Sequence, residues 1–220
     1  MNLKRMYNNL NKILNNQDKE PMVTIEAIKK EIETEILTDG KINVTMNQAF
    51  KRLLNDNELR PAFQSVLNND NKYFTITNGY YLVTYTAEQL PEQLKAYKSK
   101  EVNQYNINFE QYKNTNEVEN LSLNFETLKK IHRYNKLHKN ADLFVTKDGF
   151  TFNIQYFLDI LALLNYKNIL SDIILEYYPK NKYTPMNIKT KNGNAILLPV
   201  KLDEEKTKDL FRIQNLEGIQ

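Results

Sequence analysis

The sequence predicts an α+β protein, and three observations carry that prediction. Stretches with helical spacing of apolar residues alternate with short β-type runs along much of the chain. Twice a helix is followed by several strands, over Met46–Tyr85 and again over Ile154–Leu202. Asn78-Gly79 and Asn192-Gly193 sit between those strands, where tight turns join antiparallel neighbours.

Leu3, Met6, Tyr7, Leu10, Ile13 and Leu14 follow the 3-4 spacing of an amphipathic helix within Met1–Glu20, ended by Pro21. A second helix is expected over Thr24–Leu37, closed by Asp39-Gly40, and the two suit a docking pair. Lys41–Thr45 alternates like a strand, and Met46–Leu54 reads as a helix carrying Lys51-Arg52 on one side. Strands are expected at Ala62–Leu67, Lys72–Thr77 and Tyr80–Tyr85, with Asn68-Asn69-Asp70 as a turn. Pro91–Val118 is a polar connector, with a short helix at Glu92–Lys100.

A strand follows at Asn120–Leu123, and Asn124 is placed to cap a helix from Phe125 to about His138. Ala141–Val145 reads as a strand and Lys147-Asp148-Gly149 as a turn. Asn153 caps the next helix, Ile154–Leu164, which is apolar nearly all round with Asp159 as its one charge. Such a helix must be covered by a sheet or a neighbour. Runs at Ile169–Tyr178, Met186–Lys189 and Ala195–Leu202 then read as strands. Pro199 lacks a ladder donor and marks the last of them as an edge or a strand end.

Hydrophobic content of 41% with 11% aromatics supports a real core in a chain of 220 residues, long enough for one large domain or two small ones. No apolar run approaches the ~20 residues that span a bilayer, and the polar N-terminus has no secretory core, so a cytoplasmic protein without membrane contact is expected. The absence of cysteine excludes disulfides, thiolate zinc sites and cysteine nucleophiles. A net charge of +3 permits contact with nucleic acid without demanding it. Lysine outnumbers arginine 25 to 5, which weakens any argument from basic patches alone.

No phosphate-binding glycine loop, HExxH or G-x-S-x-G occurs. His132 and His138 lie six residues apart, off the spacing of a helical zinc pair, and suit plain helix or surface roles. Asp142, Asp148, Asp159 and Asp172 are dispersed. No cofactor and no enzyme are expected, an enzyme built from dispersed carboxylates being the contrary reading.

Phe152-Asn153-x-x-Tyr156-x-Leu158-Asp159-x-Leu161-x-x-Leu164, followed by Leu197-Leu198-Pro199-Val200-Lys201-Leu202, resembles the C-terminal end of bacterial DNA polymerase III β subunits, the sliding clamps. Thr77-Asn78-Gly79-Tyr80-Tyr81-Leu82 is similar to the Thr-Asp-Gly-x-x-Leu turn of their middle domain, with Asn78 in place of aspartate. The resemblance covers Lys41–Tyr85 and Thr151–Leu202, about half the chain.

It implies clamp-like units at 21–118 and 119–203, after an N-terminal helical extension at 1–20 and before a tail at 204–220. The other arrangement is a single clamp domain in which Pro91–Asp148 is an insertion. The implied function is a non-catalytic processivity or accessory factor, binding double-stranded DNA without sequence preference, replication proteins through short peptides, or both. The alternative is a phage or mobile-element protein that keeps the fold without encircling DNA. A closed ring would require a homo-oligomer.

By residue, the resemblance implies a peptide pocket of Thr77, Gly79, Leu82, Leu198, Pro199, Val200 and Lys201. It also implies phosphate contacts by helix cations: Lys51 and Arg52, then the stripe Lys129, Arg133 and Lys136 with Lys130 beside it. In the tail, Asp209-Leu210-Phe211 resembles a clamp-binding peptide. Leu210 and Phe211 would then either fill the pocket of Leu82, Leu198 and Val200 or pack as a helix on their own domain.

Overall fold

The computed structural model describes residues 3–15, 19–39, 46–56, 65–69, 72–95, 118–164, 173–179 and 183–216. The chain forms two compact units, Met1–Ile42 and Asn43–Gln220. The first holds helices α1 (Leu3–Leu14) and α2 (Pro21–Asp39). Pro21 opens α2 rather than ending α1, because proline at a first helical position lacks only an amide hydrogen that no helix carbonyl would accept. The expected strand at 41–45 lies outside the described residues.

The second unit is built on a seven-stranded antiparallel sheet of β1 (Leu67–Asn69), β2 (Tyr73–Thr77), β3 (Tyr81–Thr86), β4 (Glu119–Asn120), β7 (Ile174–Tyr177), β8 (Met186–Thr190) and β9 (Gly193–Leu197). Their order is β1-β2-β3-β9-β8-β7-β4. Asn68 and Asn69 belong to β1, facing Phe74 and Tyr73, rather than to the turn expected there. A separate pair joins β5 (Leu143–Val145) to β6 (Thr151–Asn153). The helices of this unit are α3 (Met46–Asp56), α4 (Glu92–Lys95), α5 (Phe125–Leu137), α6 (Ile154–Leu163) and α7 (Glu204–Leu216).

The order α3-β1-β2-β3 recurs as α6-β7-β8-β9, and the two runs meet where β3 pairs β9. The sheet is therefore nearly symmetric about that pair. Strands from both sides of residue 118 share one sheet, so the chain divides after Ile42 and not between 118 and 119. The strand pairing overrides the sequence division because two separate domains would each leave a bare edge where β3 now meets β9.

Alternation gives the sheet one apolar face. Phe74, Ile76, Tyr81, Val83, Tyr85, Ile188, Ala195 and Leu197 are buried there, and α6 contacts β3 and β9. The opposite face carries Thr75, Thr84 and Asn187, with the Thr75 and Thr84 hydroxyls 3.2 Å apart. The Tyr85 hydroxyl donates to the Leu163 carbonyl at 2.8 Å and the Asn192 amide to Leu164 at 2.8 Å, closing the C-terminal end of α6. Burial raises the Tyr85 phenol far above its usual range, so it serves as a neutral donor.

α5 starts where expected, with Asn124 accepting from the Glu126 and Thr127 amides at 3.0 and 3.1 Å. α7 docks on β5 through Gln214, which is 3% exposed. Its Oε1 accepts from the Val145 amide at 3.2 Å, and its Nε2 donates to the Leu143 carbonyl at 2.9 Å. One side-chain amide thus does for the edge of β5 what a neighbouring strand would do.

Gly193 opens β9 beside the Thr84 carbonyl of β3. A Cβ there would lie 2.7 Å from the Thr84 carbonyl oxygen, and φ is +147°. Gly193→Ala is predicted to destabilise the protein by about 1–3 kcal/mol, seen as a lower urea midpoint at unchanged slope. An unaltered midpoint would mean that β3 gives way at no cost.

Candidate peptide-binding site

The β2–β3 turn is held by its own side chains. Thr77 Oγ1 donates to the Tyr81 carbonyl at 2.6 Å and accepts from the Gly79 amide at 3.0 Å. Asn78 Oδ1 accepts from the Tyr80 and Tyr81 amides, both at 3.0 Å. Gly79 has φ +86°, a conformation open to glycine at no steric cost. Asn78 therefore supplies the acceptor geometry of an aspartate without its charge.

Beside this turn the chain leaves β9. The Leu198 amide donates to the Tyr80 carbonyl at 2.9 Å and the Val200 amide to the Thr151 carbonyl at 2.8 Å. Pro199, which has no amide hydrogen, falls between them, and the ladder ends at Leu197 rather than reaching Leu202. Leu82 is half-buried opposite Ile196, and alternation carries Leu198 toward the same face. Across the β3–β9 pair Leu198 thus adjoins the turn at Tyr80 and Leu82 lies opposite Ile196, while Val200 is held by Thr151 of β6.

Aromatic side chains that sequence reasoning missed enlarge this surface. Tyr80, 52% exposed, stacks on Tyr156 with ring centroids 5.6 Å apart and 15° between planes. Lys201 Nζ lies 5.4 Å from the centroid of the half-exposed Tyr183 ring, a cation–π distance. Leu198 is also exposed, at 38%. An exposed leucine flanked by tyrosines and a lysine can hold an apolar side chain beside an acidic one. The signal in the sequence was the Tyr80-Tyr81 pair itself, since Tyr156 reaches the turn, and Tyr183 reaches Lys201, through the fold.

The cations expected to face phosphates do not form one exposed stripe. Lys129 is 8% exposed, bonded to Glu126 at 3.1 Å and 4.5 Å from the centroid of the Phe125 ring. The buried face of α5 is Leu128, Ile131, His132 and Asn135, and Lys129 lies at its margin, which turns the stripe inward. Arg133 is half-buried. Arg52 forms an ion pair with Asp159, its Nε lying 3.1 Å from both carboxylate oxygens. Gln155 Nε2 donates to Asp159 at 3.0 Å, and Lys136 Nζ donates to Gln155 at 3.2 Å. Lys51 and Lys136 are exposed and Lys130 is partly so.

His132 is buried rather than on the surface, its Nδ1 2.7 Å from Asp142 Oδ2. His138 is exposed beside Tyr134, ring centroids 4.4 Å apart. Among the described residues no three His, Asp or Glu side chains converge as a metal site. No described helix is long and apolar enough to cross a membrane.

Two hollows lie away from the turn. One, of about 640 Å³, is at the opposite end of β3, between Met46, Tyr85, Glu88, Leu90, Leu164 and Asn192. The other, of about 360 Å³, lies between Leu121, Phe144, Asp148, Tyr177 and Phe211. Phe211 thus lines a hollow of its own unit beside Phe144, not one formed by Leu82, Leu198 and Val200. Of the two arrangements expected for the tail, this is the helix packed on its own domain, docked by Gln214. Comparison with protein-family models, curated proteins and solved structures finds no match to this chain.

Asp159 is 2% exposed, so its charge depends on Arg52. Arg52→Met should cost about 3 kcal/mol, the low end for a broken buried pair because Arg52 is 37% exposed. Arg52→Met combined with Asp159→Leu should recover most of that loss in chemical denaturation. Equal loss in the single and double variants would contradict a stranded charge.

Proposed function

We propose that this protein is a non-catalytic interaction module, built like a unit of a sliding clamp, that holds a short peptide of a replication protein as an accessory factor. The observation that carries this reading is the hydrogen bond from the Leu198 amide to the Tyr80 carbonyl, which sets the start of Leu198–Lys201 beside the turn that follows Thr77-Asn78-Gly79. These are the two stretches whose residues resemble the clamp family at its peptide pocket. The repeated α-β-β-β order brings the β2–β3 turn of the first repeat beside the chain that leaves β9 in the second.

The reading without an encircled DNA is the better supported one. Both resembling stretches are spent on a single sheet, which favours one clamp-like unit interrupted by 91–148 over two units in tandem. Arg52 and Lys129, two of the cations that would meet phosphates, are neutralised by Asp159 and Glu126. Lys51, Lys130 and Lys136 are what would remain for weak, salt-sensitive DNA contact.

The test is fluorescence anisotropy with a labelled peptide carrying an acidic residue before a leucine-phenylalanine pair. The wild type should bind it, and Leu198→Asp should weaken binding by about tenfold or more, since an apolar anchor is replaced by a charge of the ligand's own sign. Failure of the wild type to bind at high concentration would remove the peptide reading. DNA retention at low salt that is lost in a Lys51→Glu, Lys130→Glu, Lys136→Glu variant would favour the DNA-binding clamp instead.

A further inference from the structure

The unit Met1–Ile42 carries an apolar surface that stays open to solvent. On α1, Tyr7, Leu10 and Leu14 follow one another at spacings of three and four, and are 65%, 44% and 78% exposed. On α2, Met22, Ile25 and Ile32 are 67%, 42% and 40% exposed, with Lys29 at the intervening seam position. Both stripes have the spacing of helices that pack knobs into holes, and a single charged residue in such a seam fixes register.

The two helices touch each other, yet these stripes are not covered by that contact. Helices shorter than roughly 12–15 residues are marginal alone in water, and a unit of about 40 residues rarely buries enough surface without a partner. A further layer of helix would bury both stripes.

Charge selects what that layer is. α1 carries Lys4, Arg5 and Lys12 and no acidic residue. α2 carries Glu26, Glu31, Glu33, Glu35 and Asp39 against Lys29 and Lys30. A membrane of anionic lipid or a nucleic acid would attract α1 and repel α2. A second copy of the same unit satisfies both, since a two-fold axis sets each basic α1 against the partner's acidic α2. We propose that Met1–Ile42 is a dimerisation element, in which α1 and α2 of two copies form a four-helix bundle through the exposed Tyr7/Leu10/Leu14 and Met22/Ile25/Ile32 stripes.

The test is the mass of the full chain by light scattering or sedimentation across the micromolar range. The wild type should reach twice its 26.0 kDa chain mass. Leu10→Gln with Leu14→Gln, and separately Ile25→Gln, should each weaken the dimer by about tenfold or more. The thermal transition of the 43–220 unit should be unmoved, which separates loss of assembly from loss of folding. Raised salt should also weaken the wild-type dimer. A wild type that stays monomeric overturns the proposal, as does a dimer indifferent to all three substitutions. A monomer that instead sediments with phosphatidylglycerol vesicles assigns the stripe to a lipid surface and overturns it equally.

Discussion

The pairing of β3 with β9 is the constraint on which the larger unit depends. It joins strands from distant parts of the chain, Val83 to Ala195 and Tyr81 to Leu197, and turns a three-stranded and a four-stranded sheet into one. Without it each half would present a bare edge and the apolar face under α6 would be cut in two. The close approach is possible because Gly193 leaves room for the Thr84 carbonyl. The same pairing aligns the Asn78-Gly79 turn with the end of β9, so fold and site rest on one ladder.

Above that ladder the helices are locked by charge as well as by apolar contact. α3 and α6 lie against each other, and Arg52 reaches across to Asp159. A lone aspartate in a helix as apolar as α6 is costly unless it is paired, and Gln155 supplies a further donor. This pair is therefore an internal fastening between corresponding helices of the two repeats. Its guanidinium is committed to the protein.

Much of the fold was legible because local rules and tertiary structure agree. Asn124 and Asn153 cap the helices they precede, Asn78-Gly79 makes its turn, and Pro199 stands just past a strand end. The seven residues expected at a peptide pocket were drawn from a resemblance tied to turn and strand-end geometry. The misses have a common cause, which is that periodicity cannot tell which side of a helix meets its neighbour. Lys129, Arg133 and Lys136 share a face by spacing, yet that face borders the core and Lys129 is covered. Asp159 stands out in the sequence as the one charge of an apolar helix, but only packing shows that Arg52 pairs with it. Long-range pairing likewise placed Tyr156 against Tyr80, which no window of sequence contains.

The Gln214 amide on β5 has a consequence for how the chain behaves while it is being made. β5 pairs on one side with β6, and its other edge meets a side chain of the last described helix. During synthesis that edge emerges long before α7 can cover it, and for that interval it is an open template for another extended chain. The exposure ends only when the helix closes over it. The Gln214 amide, with Asn135 on the same Leu143 carbonyl, thus guards β5 against edge-to-edge association.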